Sequence, residues 1–535
     1  MKSMRLIQNL SIAICSLPII AIAQNQRTIV IHFDQDVRIV RPLVGFLGFE
    51  GRDQIPDSII QAINPSAWRV GWQFQGGTPA GLNATIDKVE QLGAQYKMVM
   101  SDLMNVKTTD WTKFESDVKN LVRMVGTRAP RIVWEVANEP DNGDMTGFIP
   151  ITGYYEAYNH AFKALREMDT SLMVAGPGFA FPSYDKYKAF LEYCRTNSIE
   201  VNVLTWHYTG WDPNSPEQQN WNMGRLREFI TTYNAQKIKE IHCDEWGGPS
   251  TDPGSLHPGR AVVWFHYLEN IYNLDRAGRA NWGGADNNLG NIISATYRPY
   301  PVYHVYRFYG QTKAQTRLLS EGNGSKLAVL ASRGQDKTGK SFAEILLGSM
   351  ETASQSVRLV IAGFPMTQYN LQVHLIPGTN LDAVLEAKDI PVLPPSGYTV
   401  TRYQDSLFIT FSNVTTYQAY HLRFDSIVPL PVSFTKKNSN VPSPRLFSSC
   451  GRVYYTLPGE AHVSVIRFSI MDVSGAVKWT HVISGGMLCG THRIEWNDPV
   501  HDRRPASAGV YLVKMELYGG RQNGCAATAT AVLLH

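Results

Sequence analysis

The sequence predicts an α/β protein, a (β/α)8 TIM barrel followed by an all-β sandwich and a small C-terminal β domain. Three observations carry that prediction. Apolar strand-like runs alternate with amphipathic stretches from Pro42 to Gly310; short alternating runs broken by Gly, Pro and Asn follow to Ser426; a Pro/Ser/Asn-rich linker, 427–445, then sets off a final β-rich segment, 446–535. At 535 residues, 44% hydrophobic and 18% charged, the chain has room for one large domain of about 250 to 300 residues and smaller ones.

Residues 1–23 combine the early cations Lys2 and Arg5 with an apolar run ending in Ala21-Ile22-Ala23. That pattern reads as a bacterial-type signal peptide, so the mature protein is expected to be secreted or held at the cell surface. Polar Gln8, Asn9 and Ser11 shorten the apolar core below the ~20 residues that a membrane span needs, and no later run is long and apolar enough to span. A net charge of +4 with no Lys/Arg block argues against nucleic acid or an anionic membrane as partner. Without Cys15 five cysteines remain, Cys194, Cys243, Cys450, Cys489 and Cys525, so at least one is unpaired unless two chains are bridged. No CxxC pair, HExxH helix, GxSxG elbow or Walker loop is present, so no metal or other cofactor is expected.

Eight strand candidates can be read in order: "PLVGFLGFE" from Pro42, "AWRVGW" from Ala67, "YKMVMSD" from Tyr96, "RIVWEVANE" from Arg131, "LMVAGPG" from Leu172, "VNVLTWHY" from Val201, "IKEIHCDEW" from Ile238 and "RANWGG" from Arg279. Between them, segments such as "WTKFESDVKNLVRMVG" and "GYYEAYNHAFKALREMD" place apolar residues at helical spacing. A barrel built this way carries its active site at the C-terminal ends of its strands. Those ends bring up Arg69 and Trp72, Asn138 and Glu139, His207 and Tyr208, Glu245 and Trp246, and Trp282. Two glutamates facing each other across a barrel mouth are what hydrolysis of a glycosidic bond requires, and aromatic rings offer flat apolar faces to sugars. Glu135 and Glu139 share strand parity, but only Glu139 reaches the strand end. Glu135 should be a buried carboxylate compensated by a cation, with Arg69 a candidate partner. Trp282 is the first choice for a sugar platform; Trp72, Trp111, Trp211 and Trp246 are as readily packing residues. Cys243, two before Glu245, has the same parity and reads as a small packing residue.

"WEVANEPD" closely resembles the acid/base motif of clan A retaining glycoside hydrolases, and its Trp-Glu-Val ahead of Asn-Glu-Pro is most similar to glycoside hydrolase family 39. "IHCDEWGG" is similar to the clan's nucleophile segment, "TWHYTGWD" to the family's His-x-Tyr-type segment, and "YRPYPVYHVYRFYG" to the exit from barrel into sandwich. The resemblance runs from about Gln24 to Ser426. "ANWGGADNN" keeps the tryptophan of the eighth strand and departs after it, which leaves the sugar open; families 79 and 51, for β-glucuronides and arabinofuranosides, are close alternatives.

The resemblance implies double displacement on a carbohydrate, with a β-xyloside as first choice. Glu245 would be the nucleophile, Glu139 the acid/base with a raised pKa, and Asn138 a partner of the sugar 2-hydroxyl. Arg69 and Tyr208 would keep the Glu245 carboxylate charged, and His207 would lie near the acid/base or a sugar hydroxyl, or simply in the core. A non-catalytic carbohydrate-binding surface protein with the same barrel is the alternative of another class.

"QRTIVIHFDQ", ahead of the first barrel strand, is expected to join the sandwich of 311–426, so that 24–41 and the sandwich form one unit. The last segment resembles the FlgD-like immunoglobulin-type domain of secreted bacterial enzymes, through "VYYTLPGEAHVSVIRFSIMDVSG", "GTHRIEWND" and "PASAGVYLVKMEL". That resemblance implies a non-catalytic role in sorting, surface attachment or spacing.

Overall fold

The structure, a computed structural model, describes residues 26–48, 55–71, 79–143, 147–148, 150–208, 221–247, 256–280, 289–403 and 405–426, and the strands of the C-terminal segment. The segments around Trp72, Trp211 and Trp282, the first 25 residues and the linker lie outside the described residues.

Eight parallel strands close into a barrel: β2 (Gly45–Leu47), β3 (Ala67–Val70), β4 (Gln95–Val99), β5 (Val133–Glu135), β6 (Met173–Phe179), β7 (Val203–His207), β8 (Glu240–Trp246) and β9 (Arg276–Arg279). Helices α1 (Asp57–Ile63), α2 (Pro79–Gln91), α3 (Trp111–Val125), α4 (Thr152–Met168), α5 (Tyr184–Thr196), α6 (Glu228–Thr232), α7 (Pro258–His266) and α8 (Pro301–Gln311) fill the connections. The amphipathic stripe of α3 buries Phe114, Val118, Leu121, Val122 and Val125, and Asp110 caps it by accepting from the Lys113 N–H.

Inside the barrel, Val133, Ala175 and Val203 form a small apolar layer among the described residues. Above it the inward positions are ionic, and the carbohydrate-type chemistry read from the strand ends depends on them. β5 is shorter than the run "RIVWEVANE" suggests, because Gly126–Arg131 is a 3-10 turn and pairing stops at Glu135. Strand parity therefore does not orient Glu139, contrary to the sequence reading. On β8 the ladder slips between Cys243 and Trp246, a bulge that turns both Asp244 and Glu245 inward and leaves Cys243 in the outer apolar core. Cys243 and Glu245 do not share a face.

The sandwich expected after the barrel is a single curled sheet of nine strands. Its order is β14 (Tyr369–Ile376), β17 (Ala419–Ser426), β12 (Ser341–Ser349), β11 (Leu327–Gln335), β10 (Thr316–Glu321), β1 (Gln26–Ile39), β13 (Gln355–Ala362), β16 (Ser406–Val414) and β15 (Thr399–Tyr403). β1 joins its halves, antiparallel to β10 and parallel to β13, and its register shifts near Asp36 bend it. The two halves close on Ile29, Ile31, Val329, Leu347, Leu359, Ile409 and Leu422. Alternation alone reports which face of a strand is buried and cannot tell one curled sheet from two flat ones.

The curled sheet packs on α7 and α8. The approach is close enough to require glycine: a Cβ on Gly259 would lie 2.2 Å from the Ser349 carbonyl oxygen, and one on Gly348 would lie 2.5 Å from that of Gly259. Between barrel and sheet, Glu269 is buried against Arg317 and Arg38, each 3.1 Å away.

The C-terminal strands form a three-stranded sheet, β18 (Arg445–Ser449), β19 (Arg452–Leu457) and β22 (Gly490–Ile494), and a four-stranded one, β20 (Val465–Asp472), β21 (Val477–Ser484), β23 (Val510–Tyr518) and β24 (Cys525–Leu534). Phe468, Val513 and Met515 are buried there. Cys194 and Cys243 are free and buried, while Cys450 and Cys489 lie outside the described residues.

Candidate active site

Glu139 follows β5 after a short turn and sits at φ +45°, left-handed backbone that costs a non-glycine residue about 1 kcal/mol or more. Three bonds hold it there. Its N–H donates to the Gly178 carbonyl at 3.1 Å, its own carbonyl accepts from the Asn142 N–H at 3.0 Å, and Asn142 Nδ2 donates to its Oε2 at 2.7 Å. Asp141 ties the same loop to the end of β6 by accepting from the N–H groups of Ala180 (2.8 Å) and Phe181 (3.2 Å) and from Lys186 Nζ (2.7 Å).

Across the mouth, Glu245 at the end of β8 accepts from Arg69 Nη1 at 2.7 Å. The other nitrogens of Arg69 bind Glu135 at 2.7 and 2.9 Å and Asn138 Oδ1 at 2.7 Å. Glu135 is thus the compensated buried carboxylate that its depth in the strand suggests, and Arg69 is its partner. Gly178 makes room for it: a Cβ there would come within 2.8 Å of Glu135 Oε1. His207, fully buried, places Nδ1 3.0 Å from Glu139 Oε1 and 3.6 Å from Glu245 Oε1. One oxygen of each glutamate and a ring nitrogen of His207 all lie within 4.8 Å of one another.

The model of the glycosyl hydrolases family 39 matches residues 105–253, a stretch that holds Glu139, His207 and Glu245 and stops short of Arg69 and Trp282. The chain is an enzyme that hydrolyses glycosidic bonds. No curated protein matches it. Among solved structures, this hydrolase is similar to N2152 from Neocallimastix frontalis (TM-score 0.59, 13% identity, covering 75% of this chain and 99% of that one). It is also similar to a family 39 glycoside hydrolase from Xanthomonas axonopodis pv. citri (0.55, 11%, 77% and 100%). A third is a monomeric β-xylosidase from Caulobacter crescentus (0.51, 12%, 75% and 100%). At these identities the likeness speaks for the fold.

The electrostatics of the hydrolase site run opposite to the assignment read from the sequence. Burial pushes the Glu139 carboxyl up, but the hydrogen bond and charge of His207, with Asn142 and Arg69, outweigh it and hold Glu139 below its ordinary value. Burial raises Glu245, against the pull of His207 and Arg69, and the neighbouring Glu139 and Glu135 add to the rise. His207 itself is raised, because Glu245 and Glu139 together overcome its burial. The reversal follows from position: His207 stands nearer to Glu139, and Glu245 faces the charges of both Glu139 and Glu135.

Tyr208 meets Glu245 through the backbone, its N–H donating to the Glu245 carbonyl at 2.6 Å, while its ring packs 4.7 Å from that of Trp264. Trp246 is buried among Trp264, Phe265 and Tyr306 and is a packing residue. Trp111 stacks on His160 of α4 at 4.4 Å. Trp282 lies outside the described residues.

Sequence reading missed Lys97 on β4, which forms an ion pair with Asp244 inside the barrel, and Phe181, whose ring is 63% exposed beyond the end of β6. A lysine in the otherwise apolar run "YKMVM" was the available signal for the first. Two triads, Glu135/His207/Asp244 and Glu139/His207/Glu245, have the spacing of cation ligands. Arg69 is already paired with Glu135 and Glu245, and Lys97 with Asp244, so a metal would have to displace protein cations.

Proposed function

We propose that this hydrolase works with retention of configuration, Glu245 attacking the anomeric carbon and Glu139 serving first as acid toward the leaving oxygen and then as base toward water. The observation that carries the proposal is the separation of the two carboxylates, whose nearest oxygens are within 4.8 Å. Retaining enzymes need about 5 to 5.5 Å, and inverting ones about 6.5 to 9.5 Å to admit a water. The chemistry needs Glu245 ionised and the proton on Glu139, against the directions in which the two carboxyls are shifted. His207 Nδ1, 3.0 Å from Glu139 and 3.6 Å from Glu245, offers a route: the ring gives its proton to Glu139 and regains one from Glu245 whenever that carboxyl holds it, leaving a charged nucleophile on Arg69. Asn138, held by Arg69, is placed to meet the 2-hydroxyl of the sugar at the reactive centre.

The substrate placed first is a β-xyloside of an oligo- or polysaccharide; the likeness to family 39 and to the Caulobacter β-xylosidase supports it. β-Glucuronides and α-L-arabinofuranosides are the alternatives, the former ranked lower because Arg69 is committed to carboxylates of the protein and not to a uronate. Phe181, tied through Asp141 to the loop of Glu139 and exposed beyond the end of β6, is the aromatic ring we assign to the leaving sugar. The first 23 residues support work outside the cytoplasm, and the C-terminal strands a spacing or attachment role.

Screening aryl β-xyloside, β-glucoside, β-glucuronide and α-L-arabinofuranoside, with proton NMR of the first-formed anomer, tests the reading. A first product of retained configuration is expected; an inverted one overturns the mechanism. Absence of turnover on every glycoside, together with sugar binding, would favour the binding-protein alternative.

A further inference from the structure

Double displacement uses two carboxylates, yet the barrel core holds four, and the pair formed by Lys97 and Asp244 touches neither bond-making atom. β4 and β8 stand on opposite sides of an eight-stranded barrel, so this ion pair spans the lumen and floors the site. Both residues are nearly inaccessible, Lys97 at 2% and Asp244 at 4% exposure. Burying two ions costs several kcal/mol each before their attraction is counted, and apolar side chains of similar volume commonly do as well for stability. The layer of Val133, Ala175 and Val203 shows that this barrel can fill its interior that way.

We propose that Lys97 and Asp244 are positioning residues for the reaction, fixing how many protons the cluster above them holds and so the pH range in which it is competent. This rests on the retaining reading given above. The geometry is specific. Asp244 Oδ1 takes Lys97, while Asp244 Oδ2 and His207 Nε2 are buried with no hydrogen-bond partner among the described residues. A ligand atom of each of Asp244, His207 and Glu135 lies within 4.8 Å of the others. The groups facing Asp244 are Lys97 on β4, Glu135 on β5, Arg69 on β3 and His207 on β7. Those facing His207 are Glu139, Glu245, Glu135, Asp244 and Arg69. Below the pair, His242 is bonded to Glu240 at 2.7 Å, with Arg276 3.4 Å from that glutamate.

Counted with His207 protonated, Arg69, Lys97 and His207 stand against Glu135, Glu139, Asp244 and Glu245. Three cations face four carboxylates, so one further proton makes the cluster neutral, and that is the proton the acid step needs. In a buried site each unit charge moves the loss of that proton strongly, because little solvent screens it. Removing the Asp244 charge lets the proton leave at lower pH; removing the Lys97 charge holds it to higher pH.

The test is the pH profile of kcat/KM for Asp244→Asn, Lys97→Met and the double variant, on the aryl glycoside that the wild type cleaves best. Both limbs are expected to move down by about one pH unit or more in Asp244→Asn and up by a similar amount in Lys97→Met. In the double variant, which keeps the charge count, they return to within a few tenths of a unit. Uniform loss at all pH values with the limbs in place, or shifts of the same sign in both single variants, would overturn the proposal. If a single variant does not fold, as circular dichroism reports, the double variant decides: coincident limbs support the proposal and displaced limbs end it. Hydrolysis by the wild type, and the anomer it releases first, test the underlying reading separately.

Discussion

Arg69 and Glu135 form a bidentate ion pair inside the barrel, at 2.7 and 2.9 Å, with Glu135 wholly buried. The pair fixes the guanidinium so that its Nη1 points at Glu245. Replacing Arg69 by methionine leaves Glu135 charged and unpaired in the core. A loss of about 3 to 5 kcal/mol in unfolding free energy is expected from denaturant titration, along with loss of turnover. A stable, active Arg69→Met protein would show that Glu135 is compensated elsewhere.

Glu245→Ala is expected to abolish hydrolysis of aryl glycosides, and azide or formate to restore part of it by attacking from the vacated side. The rescued product has the opposite anomeric configuration, read by proton NMR. Turnover equal to that of the wild type would remove Glu245 from the mechanism.

Glu139→Gln separates leaving groups. A poor leaving group depends on the acid, so kcat/KM should fall by about 10²- to 10⁴-fold, while an activated dinitrophenyl glycoside loses far less in the glycosylation step. Equal losses on both would argue that Glu139 supports the site rather than donating a proton.

Phe181→Ala is expected to lower kcat/KM several-fold on a disaccharide, as an aromatic contact is worth about 0.5 to 1.5 kcal/mol. Hydrolysis of the matching glycosyl fluoride, which has no leaving sugar to stack, should not change. A parallel loss on the fluoride would mean that the ring supports the loop of Glu139.

Acid should begin to destabilise the fold as pH falls through the range of free histidine. Burial lowers His242 to about 3, with Lys97 adding to the effect, and lowers His266 and His304 to about 4, from 6.5. Between those values the unfolded chain binds protons that the folded one refuses, so their contribution is present above pH 6.5 and is lost as pH falls toward 4. His207, raised, acts in the other direction and favours the fold below its folded-state pKa. Each lowered histidine costs on the order of 2 kcal/mol at pH 5 at most. Tm measured from pH 7 to pH 4.5 should fall, and less steeply in His304→Gln; a flat Tm would contradict these burials.

By itself the sequence determined the barrel, the order of its strands, and Glu139, Glu245, Arg69 and His207 as residues at strand ends. Those features are local: apolar period, turn residues and the position of a polar side chain at the end of an apolar run can all be read within a dozen residues. It also reached the Arg69–Glu135 pair, because a carboxylate in mid-strand demands a cation. Only the tertiary structure decided that Glu245 turns inward at a bulge, that Glu139 itself takes left-handed backbone, and that Lys97 meets Asp244 across the lumen. It decided as well that one curled sheet, joined through β1, replaces two. Each of these depends on partners distant in sequence, such as Gly178 for Glu139 or β13 for β1, and a strand's own alternation carries no record of which neighbour it pairs with. The direction of the glutamate pKa shifts belongs to the same class, since it follows from which carboxylate His207 approaches more closely and which other charges face each one.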